Sequence, residues 1–110
     1  MKQREIWRAN LNPTKGNEQQ GFRPIVIISG NAMNDNLGVL IVCPLTSKIK
    51  NYAGCLVLQA NTDNGLATDS EVLTFHLRSL AKERLVEKLG EITEEQLEQI
   101  KQGLVEILRY

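Results

Sequence analysis

Short apolar segments separated by polar, turn-forming stretches fill most of the chain. The apolar segments have the length of strands, and the Gly, Asn, Asp and Pro residues between them are typical of turns. We predict strands at residues 5–11, 25–29, 39–44, 55–58, 71–75 and 85–92, the last of them broken at Gly90. Segment 71–75 alternates polar and apolar side chains, as a half-buried strand does. Residues 12–24, 30–38 and 61–69 are predicted loops.

The C-terminal segment follows a helical pattern instead. Thr93 and Gln96 have the spacing of a capping box, and Ile92 and Leu97 are placed to form a hydrophobic staple around it. Gly103 lies in the middle of the expected helix, where glycine costs about 1 kcal/mol relative to alanine, so it indicates either close packing or tolerance. Apolar residues recur at helical spacing and predict one amphipathic helix: Leu97, Ile100, Leu104, Ile107 and Leu108.

These elements predict a β-rich α+β fold. A chain of 110 residues with 42% hydrophobic content is long enough for one core, so we expect a single domain spanning residues 1–110. Short strands followed by one helix indicate a small, strongly curved antiparallel sheet or an SH3-like, partly open barrel, with the C-terminal amphipathic helix packed on it.

Charge and cysteine content narrow the class of protein. The 13 basic and 13 acidic residues cancel, so any binding of nucleic acid has to rest on local charge. Neither a signal-peptide pattern nor an apolar run of membrane-spanning length occurs, and we expect a cytoplasmic protein with no membrane contact. Cys43 and Cys55 lie in apolar runs and are expected to be buried on strands and unpaired. With a single histidine they lack the spacing of metal ligands, so we expect no metal.

The loop of residues 12–24 ends with Arg23 and Pro24 at the start of an apolar strand, where a polar surface meets a rigid scaffold. The guanidinium of Arg23 either holds backbone carbonyls or a carboxylate, or grips a phosphate bidentately. On these residues alone the structural interpretation leads. Glu18 and Gln19, in the same loop, contact either a ligand or only water.

A second group of candidates follows the third predicted strand. The hydroxyls of Thr46 and Ser47 bond either a ligand or nearby backbone, and the second is commoner in turns. Lys48 either meets a polyanion or faces water. His76 is the only histidine, and it is either an acid–base group or a hydrogen-bonded structural residue. In an extended strand it would share a face with Arg78.

An ordered set of motifs changes this balance. They are Glu5-Ile6-Trp7, Asn12-Pro13 with Gly16 and Glu18-Gln19, Gly21-Phe22-Arg23-Pro24, Pro44-Leu45-Thr46-Ser47-Lys48, Gly65-Leu66, Asp69-Ser70, Leu77-Arg78 and Lys82-Glu83-Arg84-Leu85. With these motifs the chain resembles, over nearly its whole length, the MazF/PemK/Kid toxins of type II toxin–antitoxin systems, which are endoribonucleases.

The resemblance implies a homodimer that cleaves single-stranded mRNA at a short sequence, without a metal or other cofactor, and that a cognate antitoxin neutralises. By motif position, Arg23 and Thr46 match the family's catalytic pair. Attack of a ribose 2′-hydroxyl on the adjacent phosphate builds negative charge, which a guanidinium and a hydroxyl donor would stabilise. Glu18, Gln19, Ser47 and Lys48 are then expected to bind the substrate, and so is His76, on its own chemistry rather than by motif position.

Two points stay open at this stage. Many relatives carry glutamine where this chain has His76, so the resemblance transfers no role to that histidine, and the general base is unassigned. The alternative function is a non-enzymatic toxin of the same fold that inhibits a protein target such as DNA gyrase, because one fold supports several functions. A toxin-like binding module without activity is a third interpretation.

Overall fold

The computed structural model describes residues 1–12 and 21–109. Those residues contain two α-helices, α1 (Asn31–Asn36) and α2 (Glu94–Arg109), and two single 3-10 turns, at Thr74–His76 and Lys82–Arg84. The strands are β1 (Glu5–Asn10), β2 (Phe22–Ile27), β3 (Val39–Thr46), β4 (Val57–Leu58), β5 (Ser70–Val72), β6 (Arg78–Ala81) and β7 (Leu85–Glu91).

All seven strands join one antiparallel sheet. Its order is β4-β5-β3-β2-β1-β7, and β6 pairs with the first half of β3 on the edge that β5 occupies further along. β6 and β7 lie at opposite ends of the path β6-β3-β2-β1-β7, yet only the turn Lys82–Arg84 separates them in sequence. The sheet therefore has to curl until its edges approach each other, which confirms the predicted β-rich, strongly curved fold.

Both faces of the curled sheet are apolar, because side chains alternate between them along each strand. One face encloses Ala9, Leu11, Ile25, Ile27, Leu40, Val42, Leu80 and Leu85, with Trp7 packed against it. The other face packs on α2 and includes Ile6, Val26, Cys43, Leu45, Leu58, Val72, Ile92, Leu97 and Ile100. Burial on both faces explains why Ile25-Val26-Ile27-Ile28 is continuously apolar rather than alternating.

The predicted C-terminal helix is confirmed together with its cap. Thr93 N–H donates to Gln96 Oε1 at 2.9 Å and Gln96 N–H donates to Thr93 Oγ1 at 3.0 Å, which is the reciprocal capping box. Gly103 marks close packing, because a Cβ on it would overlap the carbonyl oxygen of Gly54. The apolar face is shorter than predicted: Leu108 is 83% exposed and contributes nothing to the core.

Helix α1 was predicted as loop. Its sequence, Asn-Ala-Met-Asn-Asp-Asn, has no apolar periodicity, so nothing local indicates a helix. Buried Asn34 provides the reason: its amide donates to the carbonyl of Ser29 at 2.8 Å, and the Ser29 hydroxyl donates to its Oδ1 at 2.5 Å. Side-chain bonds to the preceding strand end, rather than propensity, hold this single turn and a half in place.

The predicted strand at residues 71–75 is wrong in extent and in its buried face. β5 ends at Val72, and Thr74–His76 forms a 3-10 turn. Residues 71–74 are all buried, the polar Glu71 and Thr74 included, whereas Phe75 is exposed, so the segment does not alternate between solvent and core. His76 therefore does not share a strand face with Arg78, because His76 lies in the 3-10 turn and Arg78 begins β6. β6 was not predicted from the sequence.

Three smaller predictions concern Gly90, the two cysteines and membrane-spanning segments. β7 continues through Gly90, which pairs with Ile6, but its register with β1 shifts between Gly90 and Lys88, so the predicted break is a local irregularity within one strand. Cys43 is buried on β3 as expected, but Cys55 precedes the two-residue β4 and is only partly buried. Both thiols are free, as predicted. No helix within the described residues combines the length and apolarity needed to span a bilayer.

Candidate functional site

The site begins where β3 ends. Thr46 is the last residue of β3 and is buried, and its Oγ1 accepts a hydrogen bond from the N–H of Lys48 at 3.1 Å. A hydrogen bond to nearby backbone is the role expected for a hydroxyl in a turn. Because Thr46 Oγ1 is the acceptor in this bond, the hydroxyl keeps its own proton and can donate it to another group. Ser47 and Lys48 follow on the exposed side of the turn.

Glu71, on the neighbouring strand, fixes the segment that follows. Its Oε1 accepts from the N–H of Lys50 at 2.8 Å and of Asn51 at 3.2 Å, and its Oε2 accepts from the N–H of Tyr52 at 2.8 Å. Glu71 pairs with Thr46 in the sheet and is fully buried. Three backbone donors thus satisfy a buried carboxylate and hold Lys50 and Tyr52 beside the end of β3.

The 3-10 turn at Thr74–His76 supplies the opposite wall. Between the pairs Val42–Arg78 and Leu45–Val72, β3 advances three residues while its partner advances six, so the turn is looped out from the ladder. The Thr74 hydroxyl donates to the carbonyl of Gly54 at 2.9 Å and ties this turn to the loop after β3.

A cavity of about 550 Å³ lies between these two walls. Its lining combines a hydroxyl, two cations, an imidazole and two aromatic rings, from Thr46, Lys48, Lys50, Tyr52, Leu73, Phe75 and His76. Three of the predicted site residues, Thr46, Lys48 and His76, therefore meet in one cavity, which we call the Thr46 cavity. Such a lining suits a ligand that carries both negative charge and flat rings.

Two residues that line the Thr46 cavity, Tyr52 and Phe75, were not predicted from the sequence. Tyr52 follows a polar turn without a recognised motif, and Phe75 occupied a position of the alternating pattern that indicates burial. The only signal for Phe75 was its neighbour His76, and this was not enough, because no local sequence pattern marks the 3-10 turn that exposes Phe75.

Arg23 and Ser47 line a different, smaller cavity of about 150 Å³, together with Pro24, Leu45, Leu66, Ala67, Thr68 and Ser70. Arg23 is exposed near the start of β2, where it pairs with Ala9. Arg23 and Thr46 thus line two different cavities in the part of the chain that the structure describes. The pairing of β2 with β3 ends at Ile25–Pro44, and Arg23 and Thr46 each lie two residues beyond that last pair, at the same end of the two strands.

Glu18 and Gln19 lie outside the described residues. Within residues 1–12 and 21–109, histidine, cysteine and carboxylate side chains do not gather in threes as a metal site would need. The described site thus consists of cations, hydroxyls, one imidazole and two rings at the end of β3.

A curled antiparallel sheet with one packed helix, and with a basic, ring-lined cavity at a strand end, defines a small β-rich α+β domain. The chain belongs to the PemK-like, MazF-like toxin family of type II toxin–antitoxin systems, whose family model matches residues 2–108. Endoribonuclease MazF9 of Mycobacterium tuberculosis is 33% identical to it over 109 residues, covering 94% of this chain and 92% of the relative.

Solved structures agree with this family. The Form-I crystal structure of MazF from Deinococcus radiodurans has a TM-score of 0.82 and 31% identity, and the match covers 99% of this chain and 96% of that one. A MazE-MazF structure from the same organism, Form-II, gives 0.74 and 33%, covering 96% and 91%. The family predicted from the ordered motifs is confirmed.

Proposed function

We propose that this protein is an endoribonuclease toxin that cleaves single-stranded mRNA at a preferred sequence and is neutralised by a cognate antitoxin. The observation that carries the proposal is the Thr46 cavity, where a hydroxyl, two lysines and exposed rings suit an unpaired polynucleotide. A relative named as an endoribonuclease, with 33% identity across 94% of the chain, supports the activity.

In the proposed reaction, a ribose 2′-oxygen loses its proton and attacks the adjacent phosphorus, and the bond from phosphorus to the 5′-oxygen of the next nucleotide breaks. The 5′-oxygen gains a proton, so the products are a 2′,3′-cyclic phosphate and a free 5′-hydroxyl. Arg23 stabilises the charge on the phosphoryl oxygens, and the Thr46 hydroxyl donates a hydrogen bond to one of them. Neither role requires a metal ion.

The remaining residues bind the strand. Lys48 attracts a phosphate, Ser47 offers a hydroxyl beside Arg23, and His76 presents its imidazole to the Thr46 cavity. Glu18 and Gln19 complete the proposed set as base contacts from the segment that precedes β2 in the sequence. As in the family, we propose a cytoplasmic homodimer, and the Deinococcus radiodurans MazE-MazF structure supports an antitoxin as the second partner.

The test is cleavage of a long single-stranded RNA in EDTA by wild-type protein and by Arg23→Ala, Thr46→Val and Arg109→Ala. Loss of one transition-state donor typically lowers the rate about 10²–10³-fold, which we expect for the first two variants. Arg109, at the end of α2, is the matched arginine control and should leave the rate unchanged. Circular dichroism checks that each variant is folded.

The chemistry of the ends provides a second measurement. Mass spectrometry should find 2′,3′-cyclic phosphates, which attack by an external water would not form. Equal cleavage by wild type and Arg23→Ala contradicts the assignment of Arg23. Absence of cleavage combined with inhibition of DNA gyrase supercoiling would instead favour the non-enzymatic toxin.

A further inference from the structure

Two of the five aromatic side chains of this protein lie exposed in the Thr46 cavity, one on each of its two walls. Tyr52 and Phe75 are each 46% exposed, so neither serves as a core residue. Their ring centroids are 5.1 Å apart with an interplanar angle of 82°, and the ring centroid of His76 lies 4.7 Å from that of Phe75. Each ring therefore has a fixed neighbour and an accessible surface.

The backbone on both sides holds this pair in place. Glu71 anchors the N–H of Tyr52, and the Thr74 hydroxyl anchors the turn that carries Phe75. Both anchoring residues are buried. An exposed aromatic pair on restrained backbone loses little conformational freedom when a flat ligand binds, which favours affinity.

The charge around the rings indicates what the ligand is. Lys48 and Lys50 line the same cavity, and its lining among the described residues includes neither aspartate nor glutamate. The carboxylate of Glu71, which holds the segment beside the cavity, is buried and fully engaged by backbone donors. The accessible charge is thus positive. A ligand that combines a flat ring with an adjacent anion is a nucleobase with its phosphate, and this combination distinguishes a polynucleotide from an apolar peptide.

We propose that Tyr52 and Phe75 form a base-stacking subsite, in which one unpaired nucleobase stacks on the exposed rings while Lys48 and Lys50 contact its flanking phosphates. The identity of the strand as RNA rests on the function proposed above, but stacking itself does not require cleavage. Glu71 is a positioning residue for this subsite, because it acts only through the backbone of residues 50–52.

The probe is a single-stranded 2′-O-methyl oligonucleotide of alternating 2-aminopurine and uridine, which lacks the 2′-hydroxyl needed for cleavage. Stacking on an aromatic ring quenches 2-aminopurine fluorescence, so the signal reports stacking rather than charge alone. Wild-type protein is expected to quench it in a saturable titration. The binding constant is measured at one fixed, low salt concentration.

The variants distinguish the effect of the aromatic ring from the effect of side-chain volume. Phe75→Leu and Tyr52→Leu keep apolar volume but remove the ring, and each should weaken binding roughly 5- to 150-fold, the range for loss of one base–aromatic stack. Tyr52→Phe retains the ring and should bind like wild type. Leu108→Ala, an exposed apolar change on α2, is the matched control and should not alter quenching.

Absence of quenching by wild type, or equal quenching by Phe75→Leu, overturns the subsite. Failure of the proposed function gives a different result: quenching that depends on both rings with no cleavage of unmodified RNA retains the subsite and removes the ribonuclease. If the rings instead hold a second copy of the chain, light scattering will show that the leucine variants change the molar mass, and quenching will not depend on the rings.

Discussion

At the scale of single residues, Glu71 shows that an alternating pattern can predict the wrong exposure for a side chain. Its position in Glu71-Val72-Leu73-Thr74-Phe75 indicates a solvent-facing side chain, yet it is fully buried and binds three backbone N–H groups. The pattern failed because the sequence carries no record of where free backbone donors will lie. Thr46 and Lys48 were predictable because motif position, not periodicity, indicated them.

Glu5 provides a residue-level prediction. Burial raises the pKa of its carboxyl, but hydrogen bonds from Trp7 Nε1 and Lys2 N–H and the ammonium of Lys88 outweigh burial, so its pKa is below the ordinary value of 4.5. Lys88 Nζ lies 3.2 Å from Glu5 Oε2. Glu5→Gln should lower the free energy of unfolding at pH 7 by about 1–2 kcal/mol, because charged hydrogen bonds are lost.

The pH dependence follows from the direction of this shift. In the unfolded chain the carboxyl protonates first as the pH falls through about 4.5, so wild-type stability declines there and the decline ends below the folded pKa. The difference between wild type and Glu5→Gln in urea titrations should therefore shrink from pH 7 to pH 3. Glu87→Gln, in an exposed pair 3.9 Å from Arg8, is the control and should change stability by less than about 0.5 kcal/mol. A constant difference for Glu5→Gln would contradict this account.

At the scale of elements, the local sequence pattern predicted the helix and strands whose formation depends mainly on local sequence. The capping box located the start of α2, and apolar runs located β1, β2, β3 and β7. α1 and β6 were missed because tertiary contacts define them: the buried amide of Asn34 holds α1, and Arg78-Ser79-Leu80-Ala81 becomes a strand only through pairing with β3. Propensity is a weak guide for such short segments.

Gly103 in α2 permits a test at this scale. Alanine is favoured over glycine inside a helix by about 1 kcal/mol, but a Cβ here would overlap the backbone carbonyl of Gly54, which cannot rotate away. Overpacking costs about 1–3 kcal/mol, and more where backbone must move, so Gly103→Ala should lower the free energy of unfolding by about 1–2 kcal/mol net. Gln102→Ala, at the exposed neighbouring position, should be neutral or slightly stabilising in the same urea titration. Stabilisation by Gly103→Ala would show that α2 does not pack this closely on Gly54.

At the scale of the whole molecule, the candidate site was only partly predictable. Motif order indicated the family and the candidates Thr46 and Lys48, whereas His76 was a candidate as the only histidine; these three residues line one cavity. Their partners Tyr52 and Phe75 depend on how the loop after β3 and the turn after β5 meet across the sheet, which no single segment encodes. The role of Arg23 stays a prediction, since Arg23 and Ser47 line a separate cavity beside the same strand end.

The neutral net charge of the molecule leads to a prediction about salt. Because 13 basic and 13 acidic residues cancel, RNA affinity should depend on the few cations at the site rather than on a general positive field. If Arg23, Lys48 and Lys50 each contact one phosphate, the logarithm of the binding constant should fall with the logarithm of salt concentration with a slope of about −2, measured with the 2′-O-methyl oligonucleotide. Combining Lys48→Ala with Lys50→Ala should reduce the slope to about −0.7.

The control for this salt prediction removes the same charge elsewhere. Lys2 and Lys101 pair with Asp35 and Glu98, at 3.3 Å and 3.4 Å, and line neither the Thr46 cavity nor the Arg23 cavity. Lys2→Ala with Lys101→Ala should therefore leave the slope near that of wild type, although its net charge equals that of the site variant. Equal slopes for the two double variants would mean that overall charge, not the cations at the end of β3, attracts the strand.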